Sequence, residues 1–517
     1  MDLNFLERTL ARVAPGWGLQ RLGHKVALHQ ARAFASTIEE RGFDAAKRNR
    51  RTEGWIATGG SANAELGPAL DTVRRRSRDL CRNNEWGVNA RRKWVSHMVG
   101  TGIVPRPIGV AGQAKKVARE AWASFVETAD PAGRTDHYGQ QAQVAGEVFE
   151  GGAAFIRWYL RPPSFGLKVP LQCEVLEHDY LDTRRTERHG DNIVLNGVEF
   201  DQWGRRAAYW LYDVHPGEIA MISRGSMQSR RVPVDECDHV FRVDRAGQVT
   251  GVPWLAAAML RLRDIADYEE AELVRKKIEA CFTVFVRRGG AVQGLAQSAD
   301  QKTDSQGRRL ERISPGLVTY VDGEGEVTTA QPTAAGDTGY INRQLYGVAA
   351  GVGLTHSSAS GDLSNVNFTS LREGKLDFWP TLDQVQWHML SPQMCRPAWR
   401  RVMKAAAGRG LQVSPDTAML EAMPKRPWVN PADDMRAEAG EIAMALESWA
   451  DKVAARGHDP EALLEEIKEW RQKLEDAGLD PNVANSIVGA KAAPTPTDTP
   501  PAEPPKPAPK PGKTVAK

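Results

Sequence analysis

From residue 253 the chain reads PWLAAAMLRLRDIADYEEAELVRKKIEACFTVFV, rich in alanine, leucine and charged helix formers, with no glycine and no proline after the first position. Pro253 stands where a first helical turn tolerates it, because the N–H it lacks has no intrahelical acceptor there. About 27 residues of helix at ~1.5 Å each reach roughly 40 Å. That is a strut rather than filler for a small core. A second helical stretch, YINRQLYGVAAGV, follows at about 338–350. Between the two, residues 287–333 are polar and turn β-like at GLVTYVDGEGEVTTAQP, where Asp322-Gly323 is a hairpin signal. The fold therefore has to carry two helices that bracket a small inserted module.

A length of 517 residues exceeds one ordinary core, so two to four structural units are expected. The net charge of +3 removes the case for a surface that is basic all over, so any contact with nucleic acid has to come from local charge or geometry. The five cysteines, Cys81, Cys173, Cys237, Cys281 and Cys395, are scattered without a C-x-x-C pair, which argues against a disulfide framework or a thiolate zinc site. The start, MDLNFLERTLARVAPGW, has no apolar stretch of signal-peptide length, and no run approaches the ~20 apolar residues of a membrane span. The expectation is folding in a reducing cytoplasm, with no membrane partner.

Residues 1–64 read as a basic, interrupted arm, with Lys47, Arg48, Arg50 and Arg51 before Trp55. Residues 71–102, DTVRRRSRDLCRNNEWGVNARRKWVSHMVGTG, predict one helix with Val73, Leu80, Val88, Val95 and Met98 on an apolar stripe. Arg74, Arg78 and Arg82 follow at four-residue intervals on another face, and Gly100 and Gly102 stop the helix before an extended exit at Ile103-Val104-Pro105. From Thr135 to Trp210, runs such as AAFIRWYL, LQCEVLEHDYL and IVLNGVEFDQWGRRAAYWLY read as strands, with tight turns at Gly197 and Gly204. GLTHSSASGDLSNVNFTS reads as a polar loop, and LREGKLDFWPTLDQVQWHMLSPQM as mostly helix despite Pro380. Helices resume from about 433, break at Gly457-His458-Asp459-Pro460, and give way beyond residue 490 to a proline-rich tail expected to be extended and disordered.

The usual catalytic sets are missing. Gly512-Lys513-Thr514 imitates the end of a P-loop, but Pro507 occupies the first glycine position. Gly100-Thr101-Gly102 opens like a dinucleotide loop, but Pro105 replaces its last glycine. Glu177, His178, Asp179 and Asp182 are the best candidate metal or acid/base cluster, and a structural hydrogen-bonding role fits them better. Ser357, Ser358 and Ser360 beside His356 read as a polar loop rather than a nucleophile with its base. No cofactor, metal or catalytic residue is expected.

Four blocks, ALDTVRRRSRDLCRNNEWGVNARRKWVSHMVGTGI, GVEFDQWGRRAAYW, GVPWLAAAMLRLRDIADYEEAEL and GLTHSSASGDLSNVNFTSLREG, resemble in order the portal proteins of lambda-like tailed bacteriophages, over roughly residues 10–480. The family's Asn-Tyr-Ser-Ser-x-Arg is here Asn367-Phe368-Thr369-Ser370-Leu371-Arg372, which keeps an aromatic and two hydroxyls. The resemblance implies an α+β portal fold assembled as a homododecameric ring in the virion, at one capsid vertex, through which double-stranded DNA is packaged and ejected. It implies an N-terminal arm at 1–64, a mixed α/β wing at 65–253, stem helices at 254–281 and 335–352, and a small α/β clip at 282–334. A tunnel loop at 353–369, a long helix with the second part of the wing at 370–432, a helical crown at 433–489 and the tail at 490–517 complete the plan. Terminase large subunit, major capsid and scaffold proteins and a head-completion protein are the implied partners, with assembly in the host cytoplasm. On this plan His356, Ser357, Ser358, Ser360, Asp362, Asn365 and Asn367 are candidates to face passing DNA, and Arg74, Arg78 and Arg82 to make assembly contacts. The competing class is a nuclease or ATPase of the packaging apparatus, against which the missing motifs argue.

Overall fold

The structure is a computed structural model of the chain and describes residues 50, 53–54, 57–218, 228–280, 284–287, 318–321, 338–364 and 366–478. The chain divides into a short unit, Met1–Glu65, and a second unit, Leu66–Lys517. Most of the expected arm, Cys281, the Asp322-Gly323 turn, the P-loop imitation and the proline-rich tail lie outside the described residues.

The basic stretch expected as one helix is two, α1 (Ala62–Asn83) and α2 (Glu85–Met98). Asn84 breaks it by turning extended (φ −112°, ψ 124°) and accepting a hydrogen bond from the Gly87 N–H at 3.0 Å, so a local cap outcompetes helix continuation. The elbow is tight. A Cβ on Gly87 would stand 2.5 Å from the Leu80 carbonyl oxygen, so only glycine fits there.

The chain leaves α2 as β1 (Val104–Ile108), the expected extended exit, and continues through α3 (Gly112–Thr128) and α4 (His137–Gly151). The β-prone runs form two antiparallel sheets. One is β2 (Ala153–Leu160) between β3 (Leu171–Glu177) and, later in the chain, β9 (Cys237–Phe241). The other is a meander of β4 (Glu187–His189), β5 (Asn192–Leu195), β6 (Val198–Phe200), β7 (Arg206–Leu211) and β8 (Arg230–Pro233). Gly197 and Gly204 take the left-handed conformations (φ 81° and 76°) that its turns need. A small second core around Phe155, Leu176, Val198, Tyr209 and Val232 lies between the sheets.

The long helix is α5 (Met259–Ala280), beginning five residues later than residue 254. Trp254 and Leu255 are buried in the main core instead, and the Trp254 N–H bonds the Phe149 carbonyl at 2.9 Å. Burial of a tryptophan here outweighs one more helical turn. After the parallel pair β10 (Val284–Arg287) and β11 (Val318–Val321), α6 (Thr338–Val352) returns along α5. The two run antiparallel, with Tyr268 4.9 Å from Tyr340 at one level and Ala258 opposite Gly351 at another.

A five-residue α7 (His356–Ser360) leads into α8 (Phe368–Val385), which contains Pro380, and then into a π-helical stretch, Gln386–Cys395, containing Pro392. Helix α9 (Arg396–Gly408) and β12 (Ala418–Ala422) follow, and β12 pairs antiparallel with the distant β1. The chain ends its described part in α10 (Pro431–Ala443), α11 (Trp449–Ala455) and α12 (Pro460–Asp476). Pro460 starts α12, as the break at Gly457-His458-Asp459-Pro460 indicates, and Asp459 caps it.

Trp94 of α2 sits where these elements meet. Its ring meets Trp254 edge-on at 4.8 Å and Phe378 of α8 at 5.3 Å, and its indole N–H donates to the Val352 carbonyl at 2.8 Å. One side chain thus holds α2, the foot of α5, the end of α6 and α8. Trp94→Ala is expected to cost about 3–5 kcal/mol of stability in urea unfolding, the range for emptying a buried tryptophan site.

Among the described residues three histidines are buried: His137, His178 and His239. Burial lowers His137 to about 4 and holds the other two well below their usual range. The folded state therefore excludes protons that the unfolded chain takes up near 6.5. Their stabilising contribution is complete above that value and falls as pH drops below it, by about 1.4 kcal/mol per pH unit for His137 alone. Unfolding midpoints should fall between pH 6.5 and 5, where the three histidines outweigh Glu147, whose raised carboxyl works the opposite way, and His137→Gln should flatten that slope.

Candidate functional site

The polar segment after α6 is held at both ends. Gly353 turns left-handed (φ 70°), and Thr355 then caps α7 by accepting from the Ser358 N–H at 3.3 Å. The segment expected as one loop thus contains a helical turn, because threonine caps it. Asn89 of α2 donates its amide to the carbonyls of Ser358 (2.9 Å) and Ala359 (2.8 Å), clamping that turn to the basic helix. At the far end Asn367 and Ser370 cap α8 reciprocally, at 2.8 and 3.0 Å.

Between the clamps, His356 stacks on Tyr346 with ring centroids 3.9 Å apart, and Ser360 Oγ donates to the His356 carbonyl at 2.8 Å. Ser358 Oγ accepts from Thr355 at 2.9 Å, and Ser357 lies beside it, half-buried. No hydrogen bond joins the His356 ring to a serine among the described residues. Asp362 accepts from the Ser364 hydroxyl (2.6 Å) and N–H (2.8 Å), and these bonds hold its carboxyl below the usual range. Asn365 lies outside the described residues.

Sequence reasoning missed two features here. Leu363 and Phe368 are exposed beside the polar groups. Under α7, a cavity of about 330 Å³ is lined by His97, Tyr346, Ser358, Asp362 and Lys375. Burial, then Lys93 and Lys375, keeps His97 below its usual pKa, so cations from two helices converge beside the segment. Their distance in sequence hid this. The apolar spacing of α2 gave only the single-helix reading.

Arg74, Arg78 and Arg82 do not share one exposed face. Arg74 is buried and donates to the Gly151 carbonyl (3.3 Å), Asp71 (3.3 Å) and Asp179 (3.4 Å). Arg78 bridges Glu147 (2.6 Å), Glu177 (2.9 Å) and Asp179 (2.6 Å). Desolvation opposes its charge, yet these three acids raise the Arg78 pKa. Arg82 alone is exposed, with Asp79 3.9 Å away. The four-residue spacing was right, but which face is buried depends on acids more than 60 residues away.

The acidic cluster also differs from its sequence reading. His178 points into the core, 2.5 Å from the Thr250 hydroxyl, and Asp182 accepts from Ser229 at 2.8 Å. Ligand atoms of Glu177 and Asp179 instead lie within 4.8 Å of His215, which no local pattern indicates. Arg78 supplies the positive charge these carboxylates need. Burial pushes the Glu147 carboxyl up to about 8 while Arg78 opposes the shift. The group is a structural tie between α1, α4 and β3.

The family model for lambda-family phage portal proteins matches residues 48–386, which include both long helices, the arginine network and the clamped segment. The chain belongs to that family. A relative described as a probable portal protein, from Halomonas phage phiHAP-1, is 25% identical over 503 residues, covering 92% of this chain and 94% of its own. Among solved structures, the neck of a native GTA particle computed with C12 symmetry gives a TM-score of 0.40 at 13% identity, over 74% of this chain and 93% of that one. The neck of an empty GTA particle computed with C6 symmetry gives 0.41 at 12% identity, over 75% and 93%. As a portal protein, the chain forms the channel at a capsid vertex of the virion.

The arginine network carries its own test. Arg78→Ala strands the buried Glu147 and should cost about 3 kcal/mol or more in chemical unfolding. Arg82→Ala should stay within about 0.5 kcal/mol of the parent.

Proposed function

We propose that twelve copies of this chain close into a ring around an axial channel, with residues 353–369 as its tunnel loop. Helices α5 and α6 make the stem around the channel, residues 282–334 the clip, residues 65–253 and 370–432 the wing, and residues 433–489 the crown. The observation that carries this reading is the continuity of α6 with the clamped polar segment. The end of a long helix delivers that segment, and Asn89 and the α8 cap fix where it projects.

A cyclic ring repeats one heterologous contact until it closes, so rings of identical side chains do the work that a single catalytic group does in an enzyme. Ser364 and Asn367 are exposed, and Ser357, Ser360 and Asp362 lie half-buried on the same segment. Their hydrogen bonds are weak and carry no fixed positive charge, so DNA slides past without the tight, salt-dependent grip of an arginine-lined groove. Lys375 adds local attraction. Of the three arginines, Arg82 alone is left free to contact a neighbouring copy.

The ring does no chemistry of its own and receives force from the terminase large subunit docked at the clip. Scaffold and major capsid proteins surround it during assembly in the host cytoplasm, and a head-completion protein later replaces terminase. The purified protein should turn over no ATP with or without DNA. Deleting residues 357–366 should leave rings intact while cutting DNA packaging or retention at least tenfold in assembled capsids. Normal packaging and retention by that deletion would remove the tunnel-loop role.

A further inference from the structure

A groove of about 730 Å³ lies between α8 and β12 on one side and α10 and α11 on the other. Leu376 and Trp379 of α8, Trp387 at the start of the π-helical stretch and Leu420 of β12 make its apolar wall. Leu376, Trp387 and Leu420 are exposed. The indole N–H groups of Trp379 and Trp387 make no hydrogen bond among the described residues, whereas Trp428 across the groove donates to Glu438 at 3.0 Å. Flat rings with unmet donors suit a ligand that brings ring surface and bare carbonyls together.

The acids of the groove are already engaged. Asp383 pairs with Arg426, Glu438 with Arg456 and Glu441 with Lys452. Asp434 accepts the backbone N–H groups of Val429 and Asn430, at 2.9 and 3.0 Å. Arg106, Arg372 and Lys425 line the same groove and make no ion pair among the described residues. The charge left over is therefore positive.

The chain itself contains a segment of matching chemistry. Residues 494–505, PTPTDTPPAEPP, lie outside the described residues and carry Asp498 and Glu503 with no lysine or arginine. Proline fixes φ near −65° and gives no N–H, and a polyproline II helix leaves every carbonyl without an internal partner. The pairs Pro500-Pro501 and Pro504-Pro505 are centred about 12 Å apart in that form, and the eight residues from Trp379 to Trp387 rise by about the same distance. The segment can also reach. A Cβ on Gly457 would lie 3.9 Å from the backbone of Met423 and Lys425, so the chain leaves for α12 from beside the groove. Helix α12 then carries it about 25 Å away, and the roughly 16 residues from Gly478 to Pro494 span up to about 50 Å when extended.

We propose that residues 494–505 lie along this groove of their own chain as a polyproline II helix, with prolines against Trp379 and Trp387 and with Asp498 and Glu503 facing the unpaired cations. The indole donors and the apolar wall favour this occupant over a phosphate backbone, which would use the cations alone. The inference goes beyond the portal reading. Docking within one chain does not need a ring, so particle size is measured separately and the two can fail independently.

The test uses the full-length protein with the photo-crosslinker benzoylphenylalanine in place of Ala502, irradiated and mapped by mass spectrometry. Cross-links to residues 372–387 or 420–429 are expected, in rings and in single chains alike. Trp387→Ala should cut their yield at least threefold. So should Arg372→Glu, an exposed change expected to keep the parent's unfolding temperature, and Pro501→Gly with Pro504→Gly. Equal yield from the proline variant would overturn the polyproline II mode. Cross-links elsewhere, or a yield unchanged by Arg372→Glu and Trp387→Ala, would overturn docking in the groove. A product of doubled mass on a denaturing gel would make a second copy the occupant and overturn the same-chain assignment. Loss of the cross-links on adding a DNA duplex would make DNA the ligand and overturn the proposal.

Discussion

The structure depends on the burial of Trp94 at the junction of four elements. An indole with its ring edges against Trp254 and Phe378 and its N–H on the Val352 carbonyl can take only one orientation. That orientation fixes where α5 leaves the core, where α6 rejoins it and how α8 crosses beneath. Leu262 and Ile265 of α5 and Leu345 and Val348 of α6 are buried in the main core that surrounds this junction. Beyond it, residues such as Leu273 and Val274 are exposed on the single chain, as expected for a helix whose remaining partner is another copy.

Charge is arranged on the same plan. The arginines that look like a binding face in sequence are mostly consumed internally, where Arg74 and Arg78 neutralise acids from α4 and from the end of β3. What remains near the clamped segment is polar and modest, with Lys375 lining the cavity beside it and Lys93 acting with it on His97. On the proposed tunnel-loop role, a conduit for a polyanion needs this balance. Strong fixed charge would hold the polymer, and none would leave it unguided.

Elements whose signal is local were legible in the sequence: the body of the long helix, though it starts at Met259 and not at Pro253; the strands AAFIRWYL and LQCEVLE within the β-prone stretch from Thr135 to Trp210, although His137–Gly151 at its start is a helix; and the Pro460 start of α12. The family was legible too, from the order of blocks rather than from any one of them. The break at Asn84 was not, because an apolar stripe continues across it and the cap that interrupts it is a single asparagine. Nor was the turn at His356–Ser360, which depends on Thr355 and on Asn89 some 270 residues earlier in the chain. The partition of Arg74, Arg78 and Arg82 between interior and surface depends on tertiary neighbours and has no signature along the chain. Ile103-Val104-Pro105 gave only an extended exit, because its pairing strand β12 lies more than 300 residues later in the chain.

The central claim is that this chain closes into a ring whose channel is met by residues 353–369. Class-averaged electron microscopy of the purified full-length protein tests it most directly, with a bulky label on a cysteine introduced at Ser364. The account predicts a closed ring with an axial channel, and label density at the channel wall. A single-chain particle of 56.9 kDa at every concentration and salt, or a ring with the label on its outer rim, would contradict it.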